Sequence, residues 1–145
     1  MALQILYNAN ILVNSVDLSS KCRKLKVNFG QEKKETSAFG NTARTFMAGV
    51  LTPSAEAEFY IDRSTGSVLQ TLRALVNGPS ASSTGFTLSI RAVNSAATTS
   101  NEVYTMAAII DGGIDAINGN FGDIETMSVK FANASATGLA TATTS

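Results

Sequence analysis

Histidine and tryptophan are absent from this 145-residue chain, and cysteine occurs once, at Cys22. Without histidine the commonest general base is missing, and no Ser-His-Asp arrangement can form. A Cys/His zinc site is excluded for the same reason, and a single cysteine forbids an intrachain disulfide. Charge is scarce too: only 15% of residues are Asp, Glu, Lys or Arg, against roughly 25% in ordinary soluble domains. So thin a charge cover serves a free monomer poorly and points to a chain that covers much of its surface with other chains. No stretch approaches the roughly 18 apolar residues of a membrane span, so no membrane partner is expected. The opening residues, MALQILYNANILVNS, have neither a basic n-region nor a continuous apolar run. They do not read as a signal peptide, and a cytosol-like compartment is expected.

Chemistry is missing as well. Gly112-Gly113 and Gly119 read as turn glycines, because no GxGxxG or GxxxxGK[ST] surrounds them. Asp111, Asp115, Asp123 and Glu125 cluster in sequence but lack the D-x-[DN]-x-[DN]-G spacing of a calcium loop. Cys22 lies between Lys21 and Arg23, neighbours that lower a thiol pKa. No base can be named for it, and a surface thiol on a strand edge is the reading. No catalytic, cofactor-binding or metal-binding residue is nominated, no cofactor is expected, and the chain is expected not to be an enzyme.

What is present is a core. Apolar residues make up 44% of the chain, and one domain of this length buries roughly two-thirds of its unfolded surface. Period-two alternation places Leu25, Val27 and Phe29 on one face, and likewise Ala55, Ala57, Phe59 and Ile61. It recurs at Phe86, Leu88 and Ile90 and at Met127, Val129 and Phe131. Each series reads as a half-buried antiparallel strand. Val103–Ile110 is apolar on both faces toward its end and reads as a central strand. Asp111-Gly112-Gly113 predicts a tight turn into a short strand, Ile114–Ile117, with Asn118-Gly119-Asn120 turning again before the last strand. One helix, about 65–77, places Val68, Leu69, Leu72, Leu75 and Val76 on one stripe, with Ser64 or Ser67 at its start and Asn77-Gly78-Pro79 as its stop. The expected fold is mainly β, an antiparallel sandwich or barrel with one flanking helix and a long extended loop over about 30–50. Residues 1–133 form a single domain, and the Ala/Thr/Ser-rich tail 134–145 is expected to be mobile.

The 30–50 segment is too long for an ordinary connection. It carries Phe39, Phe46, Met47 and Val50 together with Arg44, so its apolar groups need a partner outside the strand pattern. Net charge is zero, which argues against a duplex nucleic-acid binder. The two halves differ, however: residues 1–73 hold nine Lys/Arg against six Asp/Glu, and residues 74–145 hold two against five. Lys21, Arg23, Lys24, Lys26, Lys33 and Lys34 form the basic cluster, read either as a strand rim facing a partner's acidic rim or as a nucleic-acid contact, the latter interrupted by Glu32 and Glu35. Glu56, Glu58, Asp111 and Asp115 are the acidic candidates. Opposite charges on two halves suit head-to-tail association, or they lie on adjacent faces of one monomer.

The order of several short motifs resembles the tail tube (major tail) proteins of long, non-contractile-tailed bacteriophages. "VDLSS" holds an early Asp17-Leu18-Ser19. "KLKVNFGQEKKETSAFGNTARTFMAGV" then holds Thr36, Gly40, Arg44 and Gly49-Val50, the family's T-x-x-G-x-x-x-R and G-[VL] elements with a longer first gap. "AEAEFYID" and "GSVLQTLRAL" follow as strand and helix. "TTSNEVYTMAAIIDGG" and "GDIETMSVKF" are similar to the family's last strands, through an N-x-x-Y element and a G-D-[IVL] turn. Together they run from about residue 11 to residue 131.

The resemblance implies a structural virion protein, assembled in the host bacterial cytoplasm. It implies rings, expected to be hexameric, stacked into a hollow tube through which DNA passes without specific binding. The 30–50 loop becomes an assembly arm reaching a neighbour, and tape measure, tail tip and terminator proteins become the other partners. A DNA-conducting lumen is expected to be polar or acidic, since a basic one would hold the phosphate backbone; Glu56, Glu58 and the Asp111–Asp115 turn are the candidates. Competing readings are a tail terminator, a head-tail joining protein or a capsid decoration protein. A small carbohydrate-binding β module is a further alternative, although its aromatic platform would have to come from Tyr7, Tyr60 and Tyr104 alone.

Overall fold

The alternating segments pair into one large sheet in the computed structural model, which describes residues 8–76, 85–95, 97–98, 101–134 and 138–143. The strands are β1 (Asn10–Val13), β2 (Val16–Asp17), β3 (Cys22–Asn28), β4 (Gln31–Glu35), β5 (Phe46–Leu51), β6 (Ser54–Tyr60), β7 (Phe86–Arg91), β8 (Val103–Asp111), β9 (Thr126–Asn133) and β10 (Ala140–Ala142). Helix α1 (Val68–Val76) lies between β6 and β7, and a 3-10 turn (Ser19–Lys21) leads into β3. The main sheet runs in the order β2-β1-β7-β8-β9-β6-β3, with β10 added beside β8. Every pairing is antiparallel.

Strand β8 is central, as its two-sided apolar pattern predicts, and it is where the sheet bends. Along one side it pairs with β7 from Val103 to Ala108. Along the other, β10 covers Val103 to Thr105 and β9 takes over from Ala108 to Asp111. That change of partner folds β9-β6-β3 back over β10-β8-β7-β1-β2. The β3 end of the path returns to its middle: Phe29, just after β3, packs edge-to-face on Tyr104 of β8 at 5.5 Å between centroids. Leu25 and Val27 line a small apolar space together with Ile90 and Tyr104. The result is the antiparallel sandwich closing toward a barrel that the sequence predicts.

Inward positions build one core. Ala55, Ala57 and Phe59 of β6, Phe86, Leu88 and Ile90 of β7, and Met127, Val129 and Phe131 of β9 are all buried, as the alternation requires. Phe86 and Phe131 meet edge-to-face with centroids 6.0 Å apart. Val68, Leu69, Leu72 and Leu75 of α1 complete the same cluster, with Val76 packed at its margin. A full burial of each such side chain contributes about 1.5–3 kcal/mol, so the helix closes the open side of the sandwich.

Three expectations need correction or extension. No strand forms over 114–117; the segment is irregular, because only Ile114 of its apolar residues reaches the core and no strand pairs with it among the described residues. Gly112 and Gly113 do turn the chain, at φ 83° and 76°, where a side chain would be strained. The arm over 30–50 is extended as expected, and its limbs β4 and β5 pair as a separate two-stranded ribbon. Within the tail, Ala140 to Ala142 pair with Thr105 to Val103; backbone hydrogen bonding recruits small side chains that give no strand signal. The helix stop at Asn77-Gly78-Pro79, and residues 135–137 and 144–145 of the tail, lie outside the described residues.

Candidate functional site

The hairpin β4–β5 leaves the sheet where β3 ends and returns where β6 begins. Its base is tight: the Thr52 amide donates to the Gly30 carbonyl at 2.8 Å, and a Cβ on Gly30 would collide with Thr52. Only glycine fits that close approach. Lys33 faces Ala48, Lys34 faces Met47 and Glu35 faces Phe46 across the ribbon. Toward the tip the Thr36 amide donates to the Thr45 carbonyl at 2.8 Å, and the Thr45 amide donates to Ser37 Oγ at 2.8 Å. The charges are largely satisfied within the arm, Lys34 by Glu32 at 3.2 Å and Arg44 by Glu35 at 3.8 Å, while Lys33 sits 4.3 Å above the Phe46 ring. The apolar groups are not satisfied. Phe46, Met47, Val50 and Leu51 are 48–69% exposed and Phe39 at the tip is fully exposed.

A second exposed apolar group lies at the other end of the same strands. The segment joining β8 to β9 passes Ile117, Phe121 and Ile124, exposed by 82%, 107% and 75%. It is held in place from below. Arg63 donates to the Ala116 carbonyl at 3.1 Å and to Glu125 at 2.7 Å, and Asn118 Nδ2 donates to the Thr126 carbonyl at 3.0 Å. Between this segment and the ends of β3 and β6 opens a cleft of about 590 Å³, lined among others by Arg23, Tyr60, Asn120, Asp123 and Ile124.

The outward face of β3-β6-β9 collects most of the charged candidates. Register places Lys26 opposite Glu56, Glu56 opposite Lys130, and Lys130 opposite Asp111, so charges alternate in sign across four strands. Lys24 faces Glu58 in the adjacent row. Lys130 approaches Glu56 at 4.0 Å and Arg23 approaches Glu58 at 3.7 Å, with the Arg23 guanidinium also 5.6 Å from the Tyr60 ring centre. The six basic candidates therefore separate: Lys21, Arg23, Lys24 and Lys26 lie in or next to β3, whereas Lys33 and Lys34 belong to the hairpin. Glu56, Glu58 and Asp111 stand among lysines, and Asp115 lies apart in the β8–β9 segment.

Two residues of the sequence motifs are structural clamps. Asp17 accepts from the Ser19 amide at 2.9 Å and from Ser19 Oγ at 2.5 Å, and Ser19 Oγ accepts from the buried Asn10 side chain at 3.0 Å and the Ile11 amide at 2.9 Å. The Ser19 hydroxyl, then its amide, hold the Asp17 carboxyl below its usual pKa. Buried Asn101 spans the β7–β8 connection, accepting from the Val93 amide at 3.2 Å and donating to the Val93 carbonyl at 3.0 Å. Cys22 departs from expectation: it is half-buried against the core, its thiol donates to the Lys24 carbonyl at 3.2 Å, and burial raises its pKa. Desolvation outweighs the basic neighbours, whose charges are engaged elsewhere, Lys21 by Asp62 and Arg23 by Glu58. Among the described residues no group of three or more His, Cys, Asp or Glu is arranged to hold a metal ion.

Sequence reasoning nominated Phe39, Arg44, Phe46, Met47 and Val50, all of which the structure gathers on the hairpin. It missed Leu51, Ile117, Phe121 and Ile124. The available signal was three large apolar residues inside a Gly/Asn/Asp-rich connection, where turn chemistry alone needs none.

No protein-family model matches this sequence, and no curated protein matches it. Solved structures do share the fold. A chain in the virion of a native gene transfer agent particle aligns with a TM-score of 0.70 at 13% identity, covering 97% of this chain and 99% of that one. A chain from the tail of the empty gene transfer agent particle, refined helically with C6 symmetry, aligns at 0.60 and 13% identity over 86% and 83%. A chain of the six-fold symmetrised baseplate of the anti-feeding prophage aligns at 0.56 and 10% identity over 98% and 97%.

Proposed function

We propose that this chain is a structural virion protein of the tail tube type, which self-assembles into six-membered rings stacked around a channel for DNA. The observation that carries the reading is the hairpin. Five large apolar side chains stand exposed on an ordered arm whose own charges are largely paired, and an arm so built is completed by another chain. The fold shared with chains of a tail and a baseplate, both described with six-fold symmetry, supports the ring number and the virion setting. Burying Phe39, Phe46 and Met47 at about 1.5–3 kcal/mol each offsets much of the cost of association.

Because the limbs are already paired with each other, the arm gives up less conformational freedom at assembly than a disordered loop would. Continuing the sheet from one copy to the next in a ring would cover the free edge of β3, which pairs only with β6 among the described strands. Glu56 and Glu58 are the lumen residues we assign, on a face whose lysines limit its net charge.

Negative-stain electron microscopy of the purified chain over a concentration series tests the reading. Open-ended hollow tubes with a regular axial repeat are expected. Closed single rings would replace it with a terminator or joining role, and a monomer at every concentration would refute it.

A further inference from the structure

We infer that the hairpin tip of one copy seats in the cleft at the opposite pole of a second copy, with Phe39 and Phe46 packing on Ile124 and Tyr60 of its lining and on Phe121, which stands exposed between the lining residues Asn120 and Gly122. The inference rests on the tube reading and names the contact that drives its axial growth.

Placement is the first argument. The hairpin extends from the Asn28 end of β3 and the Ser54 end of β6. The cleft lies at the other end of these strands, beside Arg23 and Tyr60. Seven extended residues of β6 separate the two by roughly 20 Å. A projection and a recess at opposite poles of one molecule make a heterologous contact, which repeats without closing when copies stack along the strands. Residues 31 to 40 reach at most about 33 Å when extended, enough to cross a contact plane and enter a recess.

Charge is the second argument. Residues 30–51 carry Lys33, Lys34 and Arg44 against Glu32 and Glu35, a small positive excess. Residues 111–125 carry Asp111, Asp115, Asp123 and Glu125 with no Lys or Arg. Glu125 is engaged by Arg63, whereas Asp115 and Asp123 form no ion pair among the described residues. Lys33, which lies over the Phe46 ring and forms no ion pair among the described residues, is the arm cation that an approaching acidic rim would meet. Arg23 on the cleft floor does not oppose this, being engaged by Glu58 and the Tyr60 ring. Apolar matter stands at both poles, ringed by opposite signs.

Size is the third. The cleft, at about 590 Å³, accommodates a turn carrying an aromatic side chain rather than a single methyl group.

The test is disulfide trapping between two populations, both carrying Cys22→Ser. One bears Asn41→Cys at the hairpin tip and the other Asn120→Cys at the cleft. Both positions are exposed, and both leave the aromatic anchors intact. Mild oxidation of the mixture is expected to give mixed disulfide dimers. A chain carrying both substitutions is expected to give a covalent ladder. Adding Phe121→Asp is expected to cut trapping at least about tenfold while the thermal melt is unchanged. Tubes that form without mixed disulfides would overturn this contact and leave the tube reading standing. A chain that stays monomeric and untrapped would overturn both. Trapping undiminished by Phe121→Asp would remove the exposed ring beside the cleft from the contact and refute the inference as stated.

Discussion

At the scale of single residues, the clearest stored interaction is at Asp62, where β6 hands over to α1. Its carboxylate accepts from the Ser64 hydroxyl at 2.7 Å and the Ser64 amide at 2.9 Å, and Lys21 stands 3.4 Å away. The Ser64 hydroxyl and then its amide, followed by Ser67 and Lys21, drive the carboxyl far below the usual range. A depressed carboxylate pKa stabilises the fold fully above the unfolded value near 4, and that contribution is lost as pH falls through the folded value. Asp62→Asn is therefore expected to lower the melting temperature at pH 7, with the two melting curves converging as the pH is taken below about 3. Thermal melts from pH 2 to pH 7 check it; a constant gap across the range would mean that the carboxylate charge is not the source. Asp17, held by Ser19, acts in the same direction.

At the scale of elements, α1 and the β4–β5 hairpin are opposites. Leu72 is fully buried in the core, while Phe46 is about half exposed on the hairpin. Leu72→Ala is expected to destabilise the monomer by about 2–5 kcal/mol through lost transfer energy and a cavity. Phe46→Ser is expected to change stability by no more than about 0.5 kcal/mol yet abolish assembly. Denaturant unfolding and sedimentation of the same two variants separate the effects. A large stability loss in Phe46→Ser would show that the arm folds onto its own domain. The stripe on α1 was legible because core packing demands one apolar face every 3.6 residues. The pairing of β4 with β5 was not, since QEKKE has no buried face and so no alternation to read.

For the whole molecule, the balance of charge across β3-β6-β9 matters more than any one pair. Isolated exposed pairs contribute little, but like charges directly opposite one another are destabilising. Reversing Glu56 and Glu58 to lysine would set five lysines on a face now balanced by Lys24, Lys26 and Lys130. If that face lines the channel, tubes are expected to form with normal length while DNA delivery falls, because a basic wall retains the phosphate backbone. Delivery equal to wild type in particles with normal tubes would put this face on the outside.

The sequence by itself determined the β class, the inward residues of β6, β7 and β9, the helix, the arm as an unpartnered apolar excursion, and the absence of histidine chemistry. These follow from local periodicity and composition, which a linear string carries in full. Only the tertiary structure decided that the arm is a paired ribbon, that Lys26, Glu56, Lys130 and Asp111 form one alternating row, and that Ala140–Ala142 join β8. It alone revealed that the apolar arm and the cleft beside Tyr60 and Ile124 occupy opposite poles. Each of these depends on which distant strands become neighbours and in what register. Register is set by the packing of buried faces, and outward-facing residues follow it without leaving a signal of their own.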